Sequence, residues 1–196
     1  MHTIPFELIY RGPAEGDIER VTTHAWTADV PGFGPIEMRF PIKYTERVHG
    51  ILLSAAWGER FPTITFAGVG FRYHLRMAMM ELTVNEYPAV FKRSRLALTR
   101  SGRALRINVC GRDYRYQVAG GKRQHLLVRD GASVTTTRSE WRHPRKVSGV
   151  AQGNVDNVDI ALAIALQSMY TRNLTVGGAL YSLPGRMLSR ADLPDF

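Results

Sequence analysis

With 196 residues, 44% of them hydrophobic and 22% charged, the chain has the size and composition of one globular domain, which we place over residues 1–196. Its one cysteine, Cys110, excludes an intramolecular disulfide and a cysteine-rich zinc site, and it fits a reducing, cytoplasmic compartment. No apolar run reaches the roughly 18–20 residues of a membrane helix, and no basic start precedes an apolar stretch. We therefore expect neither a transmembrane segment nor a signal peptide.

The N-terminal part contains three predicted strands. Phe6–Tyr10 and Arg20–Trp26 are rich in β-branched and aromatic residues, and Ile36–Lys43 alternates apolar with polar side chains. Pro41 has no amide hydrogen to donate, which favours a sheet edge for the third strand. The segment Pro31–Pro35 is rich in glycine and proline, and we expect it to be irregular.

Residues 48–86 give a less definite pattern. Val48–Trp57 fits either a short helix or a strand, whereas Thr63–Phe66 and Phe71–Glu86 indicate strands on either side of a Gly-Val-Gly segment. The second of these strands is long, and we expect any break in it at Met77–Met80.

A β-meander is the clearest prediction, over residues 96–138. Its strands are Arg103–Val109, Arg112–Val118, Lys122–Val128 and Ala132–Arg138, separated by glycine-containing turns at Cys110-Gly111, Gly120-Gly121 and Asp130-Gly131. The alternation places Tyr114 and Tyr116 on one face of the second strand and Arg115 on the other, as in an antiparallel sheet with one wet face.

The positive charge is concentrated in the same region. Residues 92–146 hold 15 Lys/Arg and three Asp/Glu, a local net charge of +12, whereas the rest of the chain carries −3. Because strand alternation turns residues such as Arg106 outward, we expect this excess on one outer surface and its rims. Such an asymmetry predicts an anionic partner. The candidate anion-binding residues are Arg112, Arg115, Lys122, Arg123, Arg142, Arg145 and Lys146.

A helix without a polar face is predicted near the C-terminus, over about residues 157–171. Val158–Tyr170 is apolar on all sides, so the helix must be enclosed. Asp156 and Asp159 fit its N-terminus as capping residues, which explains this carboxylate pair without catalysis. The predicted fold is mainly β (α+β): an antiparallel β-barrel or strongly curved sheet that encloses the helix.

This arrangement resembles the tubby C-terminal fold, and within it the LURP-one-related proteins and phospholipid scramblases. The stretches that carry the resemblance are LRINVCGRDYRYQV (105–118), HLLVRDGASV (125–134) and VDIALAIALQSM (158–169). The resemblance implies a closed antiparallel barrel around a central hydrophobic helix. It covers about residues 72–172 and transfers no ligand-binding residues.

Catalytic and metal motifs are missing from the sequence. No phosphate loop, H-E-x-x-H, C-x-x-C or G-x-S-x-G occurs, and the six histidines are scattered without ligand spacing. We therefore predict no catalytic residues, no cofactor and no metal, and we interpret Cys110 as an inert thiol at a strand end.

Three functions are compatible with these features. The first is a non-enzymatic protein, peripheral at the membrane, that binds anionic lipid head groups. Here Trp141 would enter the lipid interface while the cations of residues 142–146 meet the head groups. The second is nucleic-acid binding, with bases stacked on Tyr114 and Tyr116 if these side chains are exposed. The third is a barrel enzyme or small-ligand binder, which requires an internal pocket.

Overall fold

The computed structural model describes residues 3–13, 23–43, 51–71, 74–75, 80–93, 102–140, 144–169, 171 and 174. These ranges hold one α-helix, α1 (Asn157–Ala165), a 3-10 turn (Leu166–Ser168) and fourteen strands. The strands are β1 (Thr3–Pro13), β2 (His24–Val30), β3 (Gly34–Lys43), β4 (Ile51–Gly58), β5 (Phe61–Phe71), β6 (His74–Leu75), β7 (Glu81–Val84), β8 (Tyr87–Pro88), β9 (Val90–Lys92), β10 (Leu105–Val109), β11 (Arg112–Val118), β12 (Gln124–Arg129), β13 (Ala132–Arg138) and β14 (Lys146–Gly153).

The strands form one antiparallel, nearly closed barrel-like sheet. Its order is β8-β7-β5-β4-β3-β2-β1-β14-β13-β12-β11-β10-β9, and β6 pairs with β5 beside this path. Only Ala89 separates the two end strands along the chain. The short stretch 87–92 therefore pairs with β7 in its first part and with β10 in its second part, which brings the two ends of the sheet together.

The helix lies inside this sheet, as its sequence predicts. Every residue from Ile160 to Leu166 is at most 1% exposed. The helix packs against β3, β4 and β5 and also against β13, so it contacts two separate parts of the sheet. Asp156 forms the N-cap in a capping box with Asp159, which confirms the predicted start. The helix is shorter than the predicted range of about 157–171, because it ends in the 3-10 turn at Ser168 and Met169 is extended.

The meander is confirmed as β10 to β13. Val109 pairs with Arg112, which leaves Cys110 and Gly111 as a two-residue turn with φ of 51° and 71°. Two positive φ angles are typical of the type I′ turn that joins twisted strands. Tyr114 and Tyr116 point into the core and Arg115 points outward, as the alternation predicts.

The edge position predicted for Ile36–Lys43 is wrong. Strand β3 pairs with β2 on one side and with β4 on the other. Pro41 is tolerated because the pairing with β4 shifts register between Arg39 and Ile42. At this irregularity the strand does not need an amide hydrogen from residue 41 for a bond to β4. The irregular segment predicted at Pro31–Pro35 is shorter than expected, since β3 already begins at Gly34.

The remaining predicted strands are present with different bounds. Ile51–Gly58 is a strand, which resolves the helix-or-strand ambiguity of that segment. Strand β5 runs through the Gly-Val-Gly segment instead of stopping before it. The predicted segment Phe71–Glu86 contains two separate strands, β6 and β7, which lie on either side of the break expected at Met77–Met80, and both pair with β5. Residues 20–22, 48–50 and 77–79 lie outside the described ranges.

Gly149 on β14 leaves room for the ring of Phe6 on the neighbouring strand. The two residues are register partners, and a Cβ on Gly149 would overlap the Phe6 ring, which is 3% exposed and cannot move aside. We expect Gly149→Ala to lower the free energy of unfolding by about 1–3 kcal/mol, as overpacking does. Urea denaturation checks this value.

The adjacent, exposed Ser148 provides the matched control, since Ser148→Ala changes the same strand without meeting the ring. We also expect Phe6→Leu to recover part of the loss in the Gly149→Ala background. Equal stability of the Gly149→Ala and Ser148→Ala proteins would contradict the close approach.

Candidate functional site

Two arginines of the basic segment hold the helix N-terminus instead of facing a ligand. Arg129 forms a bidentate pair with Asp159, with Nε–Oδ1 and Nη2–Oδ2 distances of 2.7 Å. Arg112 lies 2.6 Å from Asp156, and Tyr114 donates its hydroxyl hydrogen to Asp159 at 2.8 Å. Hydrogen bonding to Asp159 raises the pKa of Arg129, and burial raises that of Tyr114. This cluster is therefore a fixed, charged N-terminal anchor of the helix.

Arg138 holds the opposite end of the helical segment. Its Nε donates to Gln167 Oε1 at 3.0 Å and its Nη2 to the Gln167 carbonyl at 2.6 Å, although the side chain is only 2% exposed. Burial lowers the pKa of this guanidinium. A cation at the C-terminal carbonyls complements the negative end of the helix dipole.

The expectation that the charge excess lies on one outer surface and its rims is therefore only partly met. Arg103 and Arg138 are buried, and Arg112 and Arg129 are committed to the helix N-terminus. Arg112 also lies far from two of the other predicted anion-binding residues, Lys122 and Arg123. It begins β11, and the seven residues of that strand place it about 20 Å from the β11–β12 turn.

Four of the predicted residues do converge at one end of the barrel. Lys122 and Arg123 lie in the β11–β12 turn, and Arg145 and Lys146 lie at the start of β14. We call these four side chains, all exposed, the basic rim.

Ser139 connects the two parts of the basic rim. Its carbonyl accepts from Arg123 Nη1 at 2.8 Å, and its backbone amide donates to the Lys146 carbonyl at 2.8 Å. Two carboxylates lie nearby: Glu140 is exposed at the same connection, and Glu7 is 2.5 Å from Lys146 Nζ. The rim therefore presents more positive than negative charge, in a fixed arrangement.

A second group of cations lies on the outer wall of the barrel. Lys92 of β9 is the register partner of Arg106 of β10, which is in turn the partner of Arg115 of β11. All three side chains are exposed and line one groove of about 610 Å³. We call them the wall row. The sequence prediction included Arg115 but missed Lys92 and Arg106, whose alignment depends on strand register.

Two residues of the predicted membrane-binding segment, Trp141 and Arg142, lie outside the described ranges. Nearby, Trp26 donates its indole hydrogen to the Pro144 carbonyl at 3.0 Å. This hydrogen bond fixes the chain immediately before Arg145 and thereby helps to position the basic rim.

The alternative sites considered from the sequence have less support. Tyr114 and Tyr116 are 2% and 1% exposed, so the proposed stacking platform for bases does not form. Tyr116 instead stacks on His125 inside the barrel, and burial raises its pKa to about 12. In the described part of the chain, the buried helix occupies the interior of the barrel, where a barrel enzyme would need its pocket. Among the described residues, no three His, Cys, Asp or Glu side chains are grouped as a metal site would require.

The described helix is too short to cross a membrane. Comparison of the chain with protein-family models, with curated proteins and with solved structures finds no match, so the candidate sites rest on the geometry of this chain alone.

Proposed function

We propose that the protein is a non-enzymatic binding protein that attaches to anionic lipid surfaces through the basic rim. The observation that carries this proposal is the convergence of Lys122, Arg123, Arg145 and Lys146 at one end of the barrel. Each cation near an anionic membrane contributes about 1 kcal/mol, so several acting together give useful affinity. The resemblance to the tubby C-terminal fold supports the proposal at the level of architecture only.

The geometry of the rim suits a surface more than a small molecule. Its cations lie at the ends of strands on two neighbouring connections, so they can approach a plane of head groups together. Among the described residues, the buried helix occupies the interior, which favours the outer surfaces for binding. Nucleic acid also carries phosphates, but the buried tyrosines remove the stacking contacts that would favour it.

Removing two rim charges is expected to weaken membrane binding. We expect Lys122→Gln combined with Arg145→Gln to lose about 2 kcal/mol of binding free energy, roughly a thirtyfold drop in affinity. Sedimentation with phosphatidylcholine vesicles, with and without phosphatidylserine, measures this loss. Raising the salt concentration should weaken the wild-type protein in the same direction.

The single rim change Lys122→Gln has a charge-matched control outside the basic rim. Arg60→Gln makes the same change in net charge at an exposed position in the β4–β5 turn. We expect this protein to bind like the wild type. Equal binding of the wild type to neutral and acidic vesicles would refute the electrostatic mechanism. A salt-dependent shift of oligonucleotides, with no vesicle binding, would favour the nucleic-acid alternative.

A further inference from the structure

We propose that the wall row is a separate binding site for a phosphate-bearing ligand, independent of the basic rim. Lys92, Arg106 and Arg115 are register partners on three adjacent strands. Adjacent strands lie about 4.8 Å apart, so the three Cα atoms span roughly 10 Å in one line. A single anion with several oxygens can therefore contact two or three of these cations at once.

The wall row lowers the stability of the folded protein, and a bound anion would offset this loss. Like charges directly opposite each other on neighbouring strands are destabilising. Within the described part of the chain, no carboxylate forms an ion pair with Lys92 or Arg106. The one acid lining the groove, Asp113, accepts a hydrogen bond from Asn108 at 2.9 Å. An anion from outside the chain would provide a countercharge for Lys92 and Arg106.

The groove around the row has the chemistry of a small-ligand site. It is open to solvent and has a volume of about 610 Å³, which gives room for a small phosphate ester. Val90 and Val128 give it apolar surface, and Asn108 and Asp113 give it polar groups that can meet a hydroxyl. Arginine binds phosphate through two parallel hydrogen bonds, and lysine adds a point charge. These features fit a phosphate ester whose organic part lies along the groove.

Arg106 is the test position because it lies at the centre of the row. We expect Arg106→Gln to weaken binding of glycerol 3-phosphate and of pyrophosphate by roughly 10–100-fold, since one charged hydrogen-bonding partner is lost. The measurement is a ¹H–¹⁵N NMR titration, with the side-chain amide of Asn108 as the local probe. The exposed Arg60, in the β4–β5 turn on another part of the sheet, supplies the charge-matched control, Arg60→Gln.

Thermal stability gives a second readout that does not depend on the probe signals. Without ligand, we expect Arg106→Gln to melt at a higher temperature than the wild type, because it relieves the like-charge contact. At the same pyrophosphate concentration, the melting temperature of the wild type should rise more than that of Arg106→Gln, because the variant binds the ligand more weakly.

Vesicles containing phosphatidic acid distinguish a lipid phosphate from a soluble one, provided that Arg106→Gln and Arg60→Gln are compared in the Lys122→Gln/Arg145→Gln background, where the rim is weakened. Binding of either source that is lost in Arg106→Gln and kept in Arg60→Gln would support the proposal, and the vesicle-only result would identify the lipid head group. Binding that Arg106→Gln retains, or no binding of any of the three probes, would overturn it. Because the rim double variant leaves Arg106 intact, failure of the rim proposal would be visible separately.

Discussion

Replacing Asp159 by alanine is expected to lower the free energy of unfolding by about 3–5 kcal/mol, the usual cost of breaking a buried ion pair from one side. The carboxylate is 2% exposed and accepts from both Arg129 and Tyr114. It also accepts from the backbone amide of Asp156, which closes the capping box. Its removal would leave the mostly buried Arg129 guanidinium without its bidentate partner. Denaturant unfolding of the purified protein measures the loss.

Asp156→Ala is the matched control at the same helix end. Asp156 caps the helix but is more than one-third exposed, so we expect a loss of about 1 kcal/mol, as for other N-cap residues. A double-mutant cycle of Asp159→Ala with Arg129→Ala should be strongly non-additive, because each single change already breaks the same pair. Equal costs for the two aspartates would show that Asp159 acts only as a cap.

The sequence predicted the enclosed helix and the meander because both depend on local periodicity. An apolar helix surface and alternation of period two are visible without knowing any partner strand. The same alternation also predicts that one arginine of the basic segment is buried, which a count of charges does not show. In the two-residue alternation of β13, Arg138 lies on the same face as Ala132, Val134 and Thr136, which all point inward. The strand pattern therefore already predicted that Arg138 is buried. Counting it with the surface cations overestimated the outer charge.

The sequence predicted a barrel or curved sheet, but it could not show which strands bring its ends together or that the wall row forms, because both depend on pairing between distant segments. Strand β9 has three residues, too few to show a period. The β7–β8 turn places Asn85 and Glu86 at φ of 46° and 72° without a glycine, so the usual turn signal is missing. Lys92 joins Arg106 and Arg115 in one row only because the strand register makes Lys92 the partner of Arg106.

Shortening a buried side chain of the helix should show how much the packed helix contributes to the stability of the barrel. Leu162 is completely buried, and we expect Leu162→Ala to lower the free energy of unfolding by about 2–5 kcal/mol, through lost burial and the cavity it leaves. Leu126→Ala is the matched control, because Leu126 is only partly buried and faces away from the core on β12; it should lose about 1 kcal/mol or less. Urea denaturation measures both. Equal losses would mean that the helix is not enclosed, and the filled interior that directs binding to the outer surfaces would no longer stand.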